Sequence, residues 1–104
     1  MNKSKLTLEI LSGPLDGYVV TLENETQLSR SGEGALVFPW DTELGEPQAL
    51  IFPEANDWFI QTKGGIHRTY LSKTPNNFEK VEDKRLLSPG NIIKASTECF
   101  LVRG

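Results

Sequence analysis

The 104 residues include 11 Lys and Arg against 14 Asp and Glu, a formal net charge of −3, with 38% apolar and 24% charged residues. That length accommodates one domain, spanning residues 1–104, and the composition is that of a globular chain rather than a disordered one. The acidic balance excludes a general phosphate-backbone binder, which needs clustered Lys and Arg, so no nucleic-acid partner is expected.

The basic start Met1-Asn2-Lys3-Ser4-Lys5 is followed by an apolar run that Glu9 and then Gly13-Pro14 interrupt. That is shorter than the roughly 7–15 apolar residues of a signal core, and nothing approaches the roughly 20 of a membrane span. No membrane insertion is expected. The single cysteine, Cys99, allows no internal disulfide, which predicts a reducing, cytoplasmic setting.

In chain order, Leu6, Leu8 and Ile10 alternate with Thr7 and Glu9, the period of a strand with one buried face. The turn formers Gly13-Pro14-Leu15-Asp16-Gly17 and the alternation of Tyr18, Val20 and Leu22 with Val19 and Thr21 complete a hairpin. Short strands follow at Gln27–Ser29 and Ala35–Phe38, separated by Ser31-Gly32-Glu33-Gly34, and Pro39 closes the second. Ala49–Phe52 and Trp58–Thr62 form the next pair, split by Pro53-Glu54-Ala55-Asn56-Asp57. Gly64-Gly65 opens a loop before a strand at Thr69-Tyr70-Leu71, and Pro75-Asn76-Asn77 reads as a turn. The segment Phe78–Leu87 is rich in helix formers, yet its apolar residues Phe78, Val81, Leu86 and Leu87 keep no helical face. It reads as β or irregular. Ile92–Ala95 and Cys99–Val102, joined by Ser96-Thr97-Glu98, complete the pattern. Strands at this spacing with turns between them predict an all-β sandwich or barrel.

Catalytic and metal chemistry have little to build on. One His and one Cys do not make a metal set, so neither a metal nor a cofactor is expected. His67 lacks the G-x-S-x-G context of a nucleophile elbow. Trp40 and Trp58 sit beside strand positions and are expected in core or edge packing, and Cys99 is expected as an unreactive strand residue. These readings predict a non-enzyme. Charge, by contrast, is segregated. No basic residue lies between Arg30 and Lys63, where Glu33, Asp41, Glu43, Glu46, Glu54 and Asp57 fall. From Trp58 to Phe78 there are Lys63, His67, Arg68 and Lys73 and no acid.

Six stretches in order resemble the forkhead-associated (FHA) domain, a phosphothreonine-binding β-sandwich. Ser12-Gly13-Pro14-Leu15-Asp16-Gly17 is similar to the s-G-p-x-x-G turn common in bacterial members, and Leu28-Ser29-Arg30-Ser31 to I-G-R-s. Ala35 to Asp41 matches d-l-x-l-x-d, and Gly45-Glu46-Pro47-Gln48-Ala49-Leu50-Ile51 stands in the place of S-R-x-H-A-x-I. Thr62 to Ser72 is similar to D-l-g-S-x-N-G-T-y-v-N, and Leu87-Ser88-Pro89-Gly90-Asn91-Ile92-Ile93 to L-x-x-G-D-x-I. The resemblance implies an FHA-like β-sandwich of about ten or eleven short strands, with binding loops gathered at one end.

It also implies a much-altered site. Of the family's phosphopeptide contacts only Arg30 is retained. The phosphate-binding Ser is Gly45, its neighbouring Arg is Glu46, and the bracing His is Gln48. The second-loop Ser is Gly65, and the Asn-Gly pair that holds the peptide is His67-Arg68. Each lost hydrogen bond to a charged group removes about 1.5–3 kcal/mol, and a carboxylate about 4 Å from phosphate adds about 1 kcal/mol of repulsion even in water. The expected function is therefore a non-catalytic protein-interaction module, phospho-independent, with Glu46 or Glu43 paired to Arg30 in place of phosphate. The alternatives are an Arg30 that only stabilises a turn, and a phosphothreonine reader using Arg30, His67 and Arg68 in a rebuilt pocket. The partner in either case is a protein or peptide.

Overall fold

A computed structural model describes residues 5–74 and 77–104. Among the described residues eleven strands form two sheets: β1 (Leu6–Ile10), β2 (Val19–Leu22), β3 (Thr26–Ser29), β4 (Leu36–Val37), β5 (Ala49–Glu54), β6 (Asp57–Thr62), β7 (Thr69–Thr74), β8 (Asn77–Lys80), β9 (Lys84–Leu87), β10 (Ile92–Ala95) and β11 (Glu98–Val102). The six-stranded sheet runs β2-β1-β11-β10-β7-β8 and the five-stranded sheet β4-β3-β5-β6-β9. Pairing is antiparallel throughout except between β3 and β4, which lie parallel with Leu28 opposite Leu36. This is the expected sandwich.

Alternation explains the core. Leu6, Leu8 and Ile10 of β1, Phe100 and Val102 of β11, and Ile93 and Ala95 of β10 face inward from one sheet. Leu28, Ala49, Ile51, Trp58, Ile60 and Leu87 meet them from the other. Burying such a side chain contributes about 1.5–3 kcal/mol. The same parity fixes one residue that composition alone places at the surface. Glu98 opens β11 on the core-facing side, in line with Phe100 and Val102, and is 1% exposed.

Several expectations shift by a residue or two. The turn expected over residues 53–57 contracts to Ala55-Asn56, because Pro53 and Glu54 still pair with Trp58 and Asp57. Ala55 takes the left-handed conformation there, at φ 56°. Tyr18 and Val19 are mostly exposed, since β2 is an edge strand and only Val20 and Leu22 turn toward the core. The ambiguous segment 78–87 splits into β8 and β9, the edge strands of opposite sheets, with buried Val81 between them. The expected turn at residues 75–77 lies mostly outside the described residues, and Asn77 begins β8. Among the described residues, no helix is long and apolar enough to cross a membrane.

Candidate functional site

Three connections meet at one end of the sandwich, here called apical: the β3–β4 loop after Ser29, the β4–β5 loop from Phe38 to Gln48, and the β6–β7 loop from Lys63 to Arg68. Backbone hydrogen bonds join them. Arg30 N–H donates to the Gly45 carbonyl at 3.1 Å, and the Lys63 and Gly64 amides donate to the Gln48 carbonyl at 3.0 and 3.2 Å. Gln48 is the hub. Fully buried, its side chain accepts from the Gly45 amide at 2.9 Å and donates to the His67 carbonyl at 2.8 Å and to Thr69 Oγ1 at 3.0 Å. One amide thus ties both loops to β7.

The two loops touch through glycines. A methyl group added at Gly45 would lie 2.9 Å from the Gly65 nitrogen and 3.0 Å from its Cα. At Gly65, whose φ of +104° suits glycine, the added carbon would lie 2.1 Å from Gln48 Oε1. Neither position accepts a side chain while the loops stay closed.

The β4–β5 loop pairs its acids with both neighbours, Glu46 with the β3–β4 loop and Glu43 with the β6–β7 loop. The Glu46 carboxylate binds the Arg30 guanidinium through one oxygen and accepts from the Ser31 hydroxyl through the other. Arg30 also donates to the Thr42 carbonyl at 3.0 Å. The Ser31 hydroxyl first, and then the Arg30 guanidinium, hold the Glu46 carboxyl below the usual carboxylate range. The His67 ring pairs with Glu43, and among the described residues no hydroxyl or thiol hydrogen-bonds to it. Lys63 and Arg68 are exposed and make no ion pair among the described residues, and Ile66 at the loop tip is 75% exposed.

No protein-family model matches the chain, and no curated protein matches it in sequence. Solved structures match it over nearly its whole length. An FHA domain of an Arabidopsis thaliana hypothetical protein is 22% identical, covering 96% of this chain and 85% of that one, with a TM-score of 0.78. An FHA domain of a Chlamydia trachomatis protein is 19% identical over 97% of this chain and 98% of that one, also at 0.78. A chain from a structural and functional analysis of phosphothreonine-dependent FHA domain interactions is 19% identical over 96% of both chains, at 0.72. The fold is that of an FHA domain.

On the FHA fold, the residues singled out from the sequence converge. Arg30, Gly45, Glu46, Gln48, Gly65 and His67 all bond or abut within the three apical loops. Arg68 shares their loop but contacts none of them by hydrogen bond. Of the two acids weighed against Arg30, Glu46 makes the pair, while Glu43 goes to His67.

Sequence reasoning missed a second polar cluster directly behind the site. Asp41 is 6% exposed. Its Oδ1 accepts from the Glu43 amide at 3.1 Å and Ser96 Oγ at 2.9 Å, and its Oδ2 from Thr97 N and Oγ1 at 3.3 and 3.0 Å. Glu98 lies alongside, touching Ser12 Oγ at 3.2 Å and Thr97 Oγ1 at 3.3 Å. The available signal was Asp41 two residues before Glu43, the spacing of an Asx turn in which Asp caps a backbone amide. Trp58 is in the core and Trp40 packs edge-on against Phe38 at 5.5 Å, 42% exposed. Burial pushes the Cys99 thiol up, away from the reactive thiolate.

Proposed function

We propose that this chain is a non-catalytic protein-interaction module on the FHA scaffold, and that it binds a protein or peptide through its apical loops without requiring phosphate. The observation that supports this reading is the Glu46 carboxylate seated on Arg30 and Ser31, where the resemblance puts the ligand's phosphate. The exposed surface of the β6–β7 loop is basic and carries one apolar tip: Lys63, Ile66 and Arg68. An acidic peptide with an apolar side chain complements it.

Magnitudes favour this reading over a phosphate reader. The Arg30–Glu46 pair is 38% and 42% exposed, and such pairs contribute about 0–1 kcal/mol, so displacing Glu46 is a small obstacle. The larger deficit is in donors. The hydroxyls at positions 45 and 65 and the amide at 67 are replaced by Gly, Gly and His, and each lost bond to a charged group removes about 1.5–3 kcal/mol. The second reading, phosphothreonine recognition by Arg30, His67 and Arg68, draws support from the unpaired Arg68 and from the fold neighbour named for phosphothreonine-dependent interactions. A backbone-amide NMR titration with a degenerate phosphothreonine peptide pool and its unphosphorylated twin separates the two. Apical shifts with both pools alike support the first reading. Shifts at Arg30, Gly45–Gln48 and Gly64–Arg68 with the phosphorylated pool alone support the second.

A further inference from the structure

Behind the apical site, two buried carboxylates flank one hydroxyl. Thr97 Oγ1 carries one hydrogen but stands within bonding distance of two carboxylates, Asp41 Oδ2 at 3.0 Å and Glu98 Oε2 at 3.3 Å. It cannot donate to both. Asp41 and Glu98 are 6% and 1% exposed, and no Lys or Arg forms an ion pair with either acid among the described residues, so ionising both sets two like charges against each other out of water. If Glu98 is protonated, the chain closes. Cys99 N donates to Ser12 Oγ at 3.0 Å, Ser12 donates to Glu98 Oε1, Glu98 donates to Thr97 Oγ1, and Thr97 donates to the Asp41 carboxylate. Every donor then meets one acceptor.

The Asp41 carboxylate holds the β4–β5 loop. It caps the amide of Glu43, whose side chain pairs with His67, and the intervening Thr42 carbonyl accepts from Arg30. We infer that Asp41 and Glu98 are positioning residues that share one proton, and that this proton latches the β4–β5 loop in the closed geometry that sets Glu43 and Glu46 against His67 and Arg30. The idea rests on the proposed function insofar as it makes partner access to the apical loops proton-dependent. The groups facing the pair are Ser12 from the β1–β2 connection, Ser96 and Thr97 from the β10–β11 turn, and Glu43 from the loop itself through its amide. Burial, then the hydrogen bond to and the charge of Asp41, raise the Glu98 carboxyl above its ordinary range, as two buried acids without a cation between them require. The latch is therefore set at lower pH and released as Glu98 ionises.

The test is carbon-detected NMR of the Glu98 carboxyl with amide hydrogen exchange at Glu43 and Thr97 across the same pH series. The expected result is one shared midpoint above the ordinary Glu range, with Glu43 protection falling beyond it. The fall is about tenfold for each unit by which the Glu98 pKa differs between closed and open loop. E98Q, whose amide can donate to Thr97 and accept from Ser12, should keep the low-pH spectrum and abolish the transition. D41N should lose Glu43 protection at every pH. A Glu98 carboxyl titrating in the ordinary range, or an unchanged Glu43 transition in E98Q, overturns the latch. None of these readouts uses a partner. A titrating latch beside pH-independent peptide binding would count against the proposed function and leave the latch standing.

Discussion

Gly45 and Gly65 meet backbone to backbone, with a virtual Cβ on Gly45 only 2.9 Å from the Gly65 nitrogen. The two positions where the resemblance places phosphate-binding serines are therefore the two at which these loops close on each other. The substitutions act together: removing one side chain without the other would not allow the contact, and Gln48 occupies the space that opens beside Gly65. Restoring a serine at Gly45 is then a packing change before it is a chemical one.

Gly65→Ala should destabilise the fold by about 3 kcal/mol, from a side chain at positive φ and displacement of the buried Gln48 amide. Gly45→Ser should lose about 1–3 kcal/mol through overpacking and shift the amides of residues 63–68, without restoring a phosphate site. Urea denaturation and an amide spectrum of each variant check both statements. A neutral Gly65→Ala would show that the loops do not close in solution.

Gln48→Ala should be among the costlier single substitutions in the chain, about 3 kcal/mol, because it strands the Gly45 amide, the His67 carbonyl and the Thr69 hydroxyl at once. Gln48→His should retain the greater part of that stability, since one ring nitrogen accepts while the other donates. Comparing the two urea midpoints checks whether the hub acts by hydrogen bonding rather than by volume.

Stability should fall on both flanks of the pH scale. Burial, with the hydrogen bond to and the charge of Asp41, raises Glu98, so its contribution is complete below the unfolded Glu value and lost as pH rises through its folded value. Asp41 has the opposite sign. Burial pulls its carboxyl up, but donors from Ser96, Thr97 and the Glu43 amide outweigh that and hold it below the ordinary range. Its contribution is present above the unfolded Asp value and lost as pH falls through the folded one. Denaturation midpoints from about pH 2 to about pH 9 should show the alkaline fall flattened in Glu98→Gln and the acid fall flattened in Asp41→Asn.

How much of this the sequence revealed depended on whether burial left a periodic trace. β1 was legible because Leu6, Leu8 and Ile10 all face the core. The segment 78–87 was ambiguous because both of its strands are edges, with Phe78 37% and Leu86 48% exposed, so its apolar residues do not mark the buried side. The apical residues Arg30, Glu46, Gln48 and His67 were legible as a set only through motif order, since no periodicity relates three loops. Which acid meets Arg30 was a question of geometry. Asp41 and Glu98 escaped because charged residues are almost never fully buried, and what buries them is a set of hydroxyls from Ser12, Ser96 and Thr97 that lie far from Asp41 in sequence.

The central claim is that Glu46 stands where a phosphate would stand on Arg30, and Glu46→Ser tests it most directly. The exchange removes an exposed ion pair, so stability should change by no more than about 1 kcal/mol. Titrated with the phosphothreonine peptide pool, the variant should gain shifts at Arg30 and Ser31, with an apparent affinity up to about fivefold above wild type. The unphosphorylated pool should distinguish the two proteins little. Equal phosphopeptide binding by wild type and Glu46→Ser, at any strength, would show that the carboxylate does not hold the phosphate's place.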